Sequence, residues 1–433
     1  MRWGRPRIAR ADPLLRRLVS MFRSFLAARG GLWRNPDFMK LWAAQSLSAV
    51  GARFTREGLP IVAALLLDAS ATDLGLLVAL SALPGVLLSP FAGAWIDRTR
   101  RRRVLILADL VRAAALATLP VMAWLDAITI GQVMGVAAVV ALFSMIFQTA
   151  DNAYLPTVVE KERLLEGNAK LATTDAVAEI AGPALAGVAI QLVTAPVAIL
   201  FDALSYLWSA ALLASIRRVE PARAAQDEAP DIWRETREGL RFVLSHPVLR
   251  PLNLCLATLT FFLSFFSPLY VLYAVRELGI APGPLGLIIA LGGISALVGA
   301  RYAEAAGRRL APRRLLMGAL LAYGLVLAFI PLAGGPFWAA ASLLCLSQLF
   351  GDGISVVFFT NATTLRQEST PEILRGREGG TYHLLTGGLG LVAALVAGLA
   401  ADAVGIRPVL WVAVAGVLAS GLWLLAMPEK ERP

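Results

Sequence analysis

Apolar runs of about 20 residues or more, separated by short polar stretches, recur from residue 38 to residue 427. Twelve can be read, at 38–66, 73–95, 104–125, 128–150, 168–193, 196–216, 250–276, 284–303, 313–332, 336–361, 378–402 and 407–427. A helix needs about 20 apolar residues to cross the hydrocarbon core of a bilayer. Each run therefore predicts one membrane helix, and the chain is expected to be an all-α integral membrane protein. The connections alternate in charge. The N-terminal segment, the turn at 96–103, the stretches 151–168, 217–249, 301–314 and 362–377 and the C-terminus hold nearly all the Arg and Lys. The opposite connections, near 67–72, 126, 194, 277–283, 333–335 and 403–406, hold almost none. Basic loops stay on the cytoplasmic side, so both termini are expected there.

The longest polar interval divides the chain. From Glu220 to Pro230 it is rich in Ala, Pro and charge and reads as a linker, and from Asp231 to Leu244 it predicts a short surface helix. The expected organisation is a basic segment at 1–37, a six-helix half at 38–216, the linker at 217–249, a second six-helix half at 250–428 and a tail at 429–433. The halves match in one register. Leu74 to Leu80 matches Leu285 to Leu291, 211 positions later. At the same offset Arg98, Arg102 and Arg103 fall on Arg309, Arg313 and Arg314, and Ala186 and Gly187 fall on Ala397 and Gly398. Two parallel repeats are the expectation.

Composition narrows the function. Of 433 residues 58% are hydrophobic and 16% charged, against about 25% charged in a soluble domain. The net charge of +10 does not point to nucleic acid, because the basic residues lie between apolar runs instead of on one face. Cys255 and Cys345 lie in apolar runs, and His246 and His383 have no Cys or carboxylate at ligand spacing, so no metal site is expected. No Gly-Lys-Ser phosphate cradle appears, which disfavours an ATP-driven pump. No constellation of nucleophile, metal or cofactor suggests an enzyme, and no cofactor is expected. Met1 to Asn35 carries nine arginines and no cleavable signal. Within it, Pro13 to Trp33 suits either an amphipathic helix on an anionic membrane surface or a basic tail.

Charges inside the spans cost roughly 2.5 to 3.5 kcal/mol each on insertion scales, so they pair or line a wet cavity. Span one holds Arg53, Arg56 and Glu57. The spacing of Arg53 and Glu57 permits an intrahelical pair; alternatively either arginine binds an anionic substrate group while Glu57 accepts a proton. In span five Asp175 and Glu179 are four apart, and Glu179 is the first choice for a proton-coupling residue. Asp202 and Asp352 are further candidates, Asp202 lying nearer the outer face where solvation would suffice. Asp109 and Arg112 share a face of span three and suit a structural ion pair. Gly182, Pro183 and Gly187 loosen span five for hinging or close packing. Among the aromatics crowding span seven, Phe265 and Tyr270 are candidates to contact an amphipathic substrate.

The turn between spans two and three concentrates the charge: Gly93, Asp97 and Arg98, then four successive arginines from Arg100 to Arg103. Arg100 to Arg103 abut the N-terminus of span three and Asp97 the C-terminus of span two, each with the wrong sign for its helix end, so local helix stability does not account for them. Gly93, Asp97, Arg98, Arg101 and Arg102 resemble the signature of the major facilitator superfamily, with Arg100 where that family usually has glycine. Arg102 to Arg112 and Thr364 to Leu385 are similar to its bacterial exporter branch of enterobactin and macrolide efflux proteins. Glu179 to Gly187 partly resembles the Gly-Pro motif of drug antiporters, whereas Ala52 departs from the acidic residue many relatives carry there.

The resemblance implies twelve transmembrane helices in two six-helix pseudo-repeats. It implies a secondary active transporter in the bacterial cytoplasmic membrane, exporting a small amphipathic drug, antibiotic or siderophore in exchange for protons by alternating access. Its partners would be the substrate, protons and the bilayer, and a monomer is expected. Alternatives are a lipid or lysophospholipid transporter, or a receptor or assembly partner that keeps the fold without transport. Asp97 would latch onto the start of span eleven, around Glu378 to Gly380.

Overall fold

The computed structural model describes residues 31–218 and 232–428. Twelve membrane helices run through them. Span one is Pro36–Ile61 with a π-turn, Val62–Leu66; span two is Ala71–Asp97, three Arg101–Trp124, four Ile130–Val158, five Leu164–Val193 and six Ala195–Ser215. After a linker helix, Ile232–Ser245, come span seven, Leu249–Glu277, in three pieces, then eight, Pro282–Arg309, and nine, Pro312–Leu332. Spans ten, eleven and twelve are Phe337–Ser369, Arg375–Val404 and Ile406–Ala426.

Among the described residues eleven helices are long and apolar enough to cross a membrane. Span one falls short because Arg53, Arg56 and Glu57 interrupt it; its packing against spans five and six places it in the bundle.

Local chemistry sets the helix starts. Asn35 caps span one by accepting from the Asp37 and Phe38 amides, ahead of Pro36 in the first turn. Ser70 and Asp73 form a capping box at span two. Spans four and ten extend to Val158 and Ser369, beyond their apolar runs, because a helix satisfies its own backbone outside the hydrocarbon as well as in it. Much of the expected connection at 151–168 is therefore helical. Residues 13–30 of the expected surface helix, and Glu220 to Pro230, lie outside the described residues.

The pseudo-repeat is visible in the packing. Span one packs on five and six, two on four, and three on four and six; the C-terminal spans repeat this as seven on eleven and twelve, eight on ten, and nine on ten and twelve. It is also visible in local backbone chemistry at the offset of 211 residues. The π-turn Val62–Leu66 recurs as Tyr273–Glu277, each closed by a five-residue hydrogen bond, Leu67 N to Val62 O and Leu278 N to Tyr273 O. Asp68 and Gly279 share a left-handed turn conformation. Thr194 and Gly405 share another, with φ 79° and 92° and ψ 155° and 158°.

That last region is essentially reserved for glycine and costs other residues roughly 1–3 kcal/mol. Thr194→Gly is therefore expected to raise the thermal midpoint of the purified protein. The net gain is about 1 kcal/mol once the extra freedom of unfolded glycine is subtracted. An unchanged or lower midpoint in a melting scan would contradict the strain.

Candidate functional site

The bundle has a basic face, where residues 31 and 428 and the described charged connections lie, and a far face opposite. Spans two and eleven and spans five and eight join the two halves. Toward the far face their backbones touch: a Cβ on Gly187 or on Gly286 would stand 2.9 Å from the other's Cα, and one on Gly398 would stand 2.9 Å from Thr72 Cα. These three glycines are therefore required by close approach. At the same face Arg276 of span seven donates to Ala64 O at 2.7 Å and pairs with Asp68 at 2.8 Å. The far face is closed, and the charged mid-span residues lie on the walls between the halves.

On the N-terminal wall Arg53 pairs with Glu179, and Arg56 reaches the same carboxylate at 3.4 Å. The pair joins spans one and five, which corrects the intrahelical Arg53 to Glu57 pair: Glu179 lies across the helix interface, and Arg53 turns to it. Gly182 makes room for this. A Cβ there would stand 2.8 Å from Arg53 Cβ, so this glycine seats the arginine stem; span five runs through Pro183 as one helix. Glu179 remains 53% exposed and Arg53 17%. Glu57 is half-buried beside both arginines and Glu179.

The C-terminal wall is built from Tyr270, Gln348 and Asp352. Gln348 donates to the Tyr270 hydroxyl at 3.3 Å. Asp352 sits over Gly292, where a Cβ would stand 3.0 Å from its Cγ. A Cβ on Gly293, next to Gly292, would stand 2.9 Å from Ile180 Cα, next to Glu179, so the two walls meet across spans five and eight. Arg53 and Arg56 are thus the two guanidiniums beside Glu179 and Glu57, in a region that also holds Asp352 and the exposed Asp175. Carboxyl groups outnumber guanidiniums there, which suits a proton or a cationic group. Phe265 is not part of it: at 4% exposure it is packed against Phe261 and Phe262, because the break at Ser264 rotates it into the core.

Beneath the N-terminal wall lies a buried polar cluster. Asp109 and Arg112 pair at 2.5 Å, with the guanidinium held between the rings of Phe147 and Tyr206 at 4.5 and 4.0 Å. Asp202 is 0% exposed and accepts from Thr55 and Ser205, so it is not solvated at the outer face: span six turns it inward against Gly51. Sequence reasoning missed two further contacts. Gln45 donates to Asp151, which sits on a helical turn that polarity alone assigns to a connection. Arg366 makes a bidentate pair with Glu378 at 2.8 and 2.9 Å and stacks on Tyr382 at 3.6 Å. These residues stand on two helices across a turn, where no single-helix spacing relates them.

The signature turn is explained by neighbouring helices. Arg102 donates to Leu213 O at 2.8 Å and to Ala214 O, capping the C-terminus of span six, and Arg101 reaches Ala153 O at 2.6 Å. Their positive charge is therefore unfavourable at the start of span three but favourable at the end of span six. Arg313, at the repeat position of Arg102, reaches Met427 O past the end of span twelve. Arg98 is exposed. The side chains at Gly93 and Asp97 lie outside those described, and the carboxylate of Glu378, in the expected latch region, is occupied by Arg366.

A twelve-helix bundle with a two-fold repeat, closed at one face around a charged mid-membrane site, has the architecture of a membrane transporter. The Major Facilitator Superfamily model matches residues 41–390, and the chain belongs to that family. It is 28% identical over 413 residues to the multidrug efflux pump Tap of Mycobacterium tuberculosis, covering 91% of this chain and 94% of that one. It is 25% identical over 271 residues to macrolide efflux protein A of Streptococcus pyogenes, covering 59% and 66%. Among solved structures it is similar to a bacterial homologue of the iron transporter ferroportin in its inward-facing state. There the TM-score is 0.73 at 20% identity, covering 92% of this chain and 99% of that one. Against the outward-facing state the TM-score is 0.55 at 21% identity, covering 90% and 98%.

Proposed function

We propose that this transporter is a proton-coupled exporter of small amphipathic compounds, working by alternating access in the bacterial cytoplasmic membrane as a monomer. One observation carries the reading. At the offset of 211 residues, Arg53 and Glu179 correspond to Ser264 and Gly390, and a Cβ on Gly390 would stand 3.2 Å from Ser264 Oγ. The same interhelical contact is thus made twice, once with an ion pair and once without any charge. Packing needs the contact, not the charge. Ions kept in a span at a cost of kcal/mol, where the fold does not require them, mark function.

In this reading the basic face is cytoplasmic and the far face is the outer gate, shut here. Residues 38–216 and 250–428 rock as two bodies, with 1–37, the linker 217–249 and 429–433 in the cytoplasm. Substrate enters between the walls from inside. A proton taken up by Glu179 from outside neutralises the partner of Arg53 and Arg56, and its release inside restores the pair. Glu57, Asp202 and Asp352 are the other carboxylates available to hold it. The names of the relatives, multidrug and macrolide efflux proteins, support an amphipathic substrate.

The test is uptake of a fluorescent amphipathic dye or a radiolabelled macrolide into inside-out proteoliposomes under an imposed pH gradient. Uptake is expected to stop when the gradient is collapsed; uptake indifferent to the gradient would sink the coupling. A periplasm-dependent reporter that is active when fused to either terminus would overturn the orientation.

A further inference from the structure

The outer gate contains the same side-chain device twice. Asp402, at the end of span eleven, accepts from the Ala71 and Thr72 amides of span two, both at 2.9 Å. Gln191, at the end of span five, accepts through Oε1 from the Gly283 amide of span eight at 3.0 Å. Asp402 lies 211 residues after Gln191, and Gly283 lies 211 after Thr72. Each contact therefore maps onto the other under the repeat, and each crosses from one half of the molecule to the other.

The donors are first-turn amides, which have no acceptor within their own helix. Ser70 and Asp73 complete a capping box at span two, through Ser70 Oγ to the Asp73 amide and the Asp73 carboxylate to the Ser70 amide. The Ala71 and Thr72 amides remain, and Asp402 takes both. At span eight, Pro282 and Pro284 have no amide hydrogen, so Gly283 holds the donor between them, and Gln191 takes it. Beside each cap lies a glycine seam, Gly75 against Gly398 and Ala394, and Gly286 against Gly187. The seams bring the backbones close enough for a short side chain to span the gap.

We propose that Asp402 and Gln191 are positioning residues that hold the outer gate shut, each by capping the first turn of a helix in the opposite half. Opening that face separates spans two from eleven and five from eight, and both caps must break together. The freed amides then face water at the helix ends, so breaking the caps leaves no unpaired donor in the lipid and the latch can reopen. The two caps differ in strength. Asp402 brings a carboxylate and two bonds to a helix N-terminus, where negative charge is favourable, whereas Gln191 brings one neutral bond. This inference rests on the alternating-access reading but not on proton coupling.

The experiment places spin labels at Ala127 and Trp338, exposed at the far face in opposite halves, with Cys255 and Cys345 replaced by serine. Distances are measured in proteoliposomes without substrate or gradient, so a failure of proton coupling leaves this readout intact. Asp402→Ala is expected to raise the ratio of long to short distances about thirtyfold and Gln191→Ala about fivefold, from the usual strengths of charged and neutral hydrogen bonds. Asp402→Asn, which keeps an acceptor and copies the Gln191 arrangement, is expected to fall between wild type and Asp402→Ala, and it keeps the test available if Asp402→Ala fails to fold. Distances unchanged in folded Asp402 and Gln191 variants, or a lowered melting point with no change in distances, would overturn the proposal.

Discussion

Glu179→Gln is expected to abolish gradient-driven transport while leaving substrate exchange across the membrane intact. The carboxylate is the shared partner of Arg53 and Arg56, and glutamine keeps its shape but cannot cycle a proton. Loss of a proton-transferring group costs 10²-fold or more, so the gradient-driven rate should fall about a hundredfold. The protein should still fold, because Glu179 is half exposed to the space between the halves and water screens what the pair contributes. Measuring gradient-driven uptake and counterflow in the same vesicles separates the two effects. Full gradient-driven uptake by the variant would remove Glu179 from the mechanism, and loss of counterflow as well would mean it binds substrate instead.

The largest effect on stability is expected at Arg366 and Glu378, both more than nine-tenths buried near the basic face. Glu378→Gln leaves the guanidinium over Tyr382 with no counter-charge. Removing one partner of a buried ion pair typically costs 3–5 kcal/mol, so a fall of about that size is expected. Replacing both, as Arg366→Met with Glu378→Leu, removes the stranded charge and should recover most of the loss. Thermal melts of the wild type and both variants in detergent would check this. If the double variant were no more stable than Glu378→Gln, the cost would come from lost packing and not from an unpaired charge.

These two pairs also show where reading one chain in order falls short. Glu179 and Arg53 are both visible as charges in spans, but Glu57 is four residues from Arg53 and Glu179 is far away in sequence. Helical spacing therefore selects the wrong partner. Arg366 and Glu378 lie within a stretch that resembles exporters, yet a turn separates their helices. Asp202 looked solvated because its depth along span six was legible and its rotation toward Thr55 was not. Phe265 lost its place at the cavity because a break at Ser264 cannot be read from a run of aromatics.

Sequence alone determined the twelve helices, their approximate ends, the sidedness of charge and the repeat at 211 residues. The physical reason is that a segment in lipid must satisfy every backbone amide within itself, so apolar length dictates a helix whatever its neighbours are. The repeat then carried its local chemistry with it, from the π-turns to the arginines capping spans six and twelve. Only the tertiary structure decided which helix faces meet, and with that the partner of each charge. Arg102, ill placed at the start of its own helix, closes the end of another. Asp402, an acid in the last turn of span eleven, accepts from the first turn of a helix in the opposite half. A hydrogen bond or ion pair depends on distance in space, and between helices the sequence does not encode that distance until they pack.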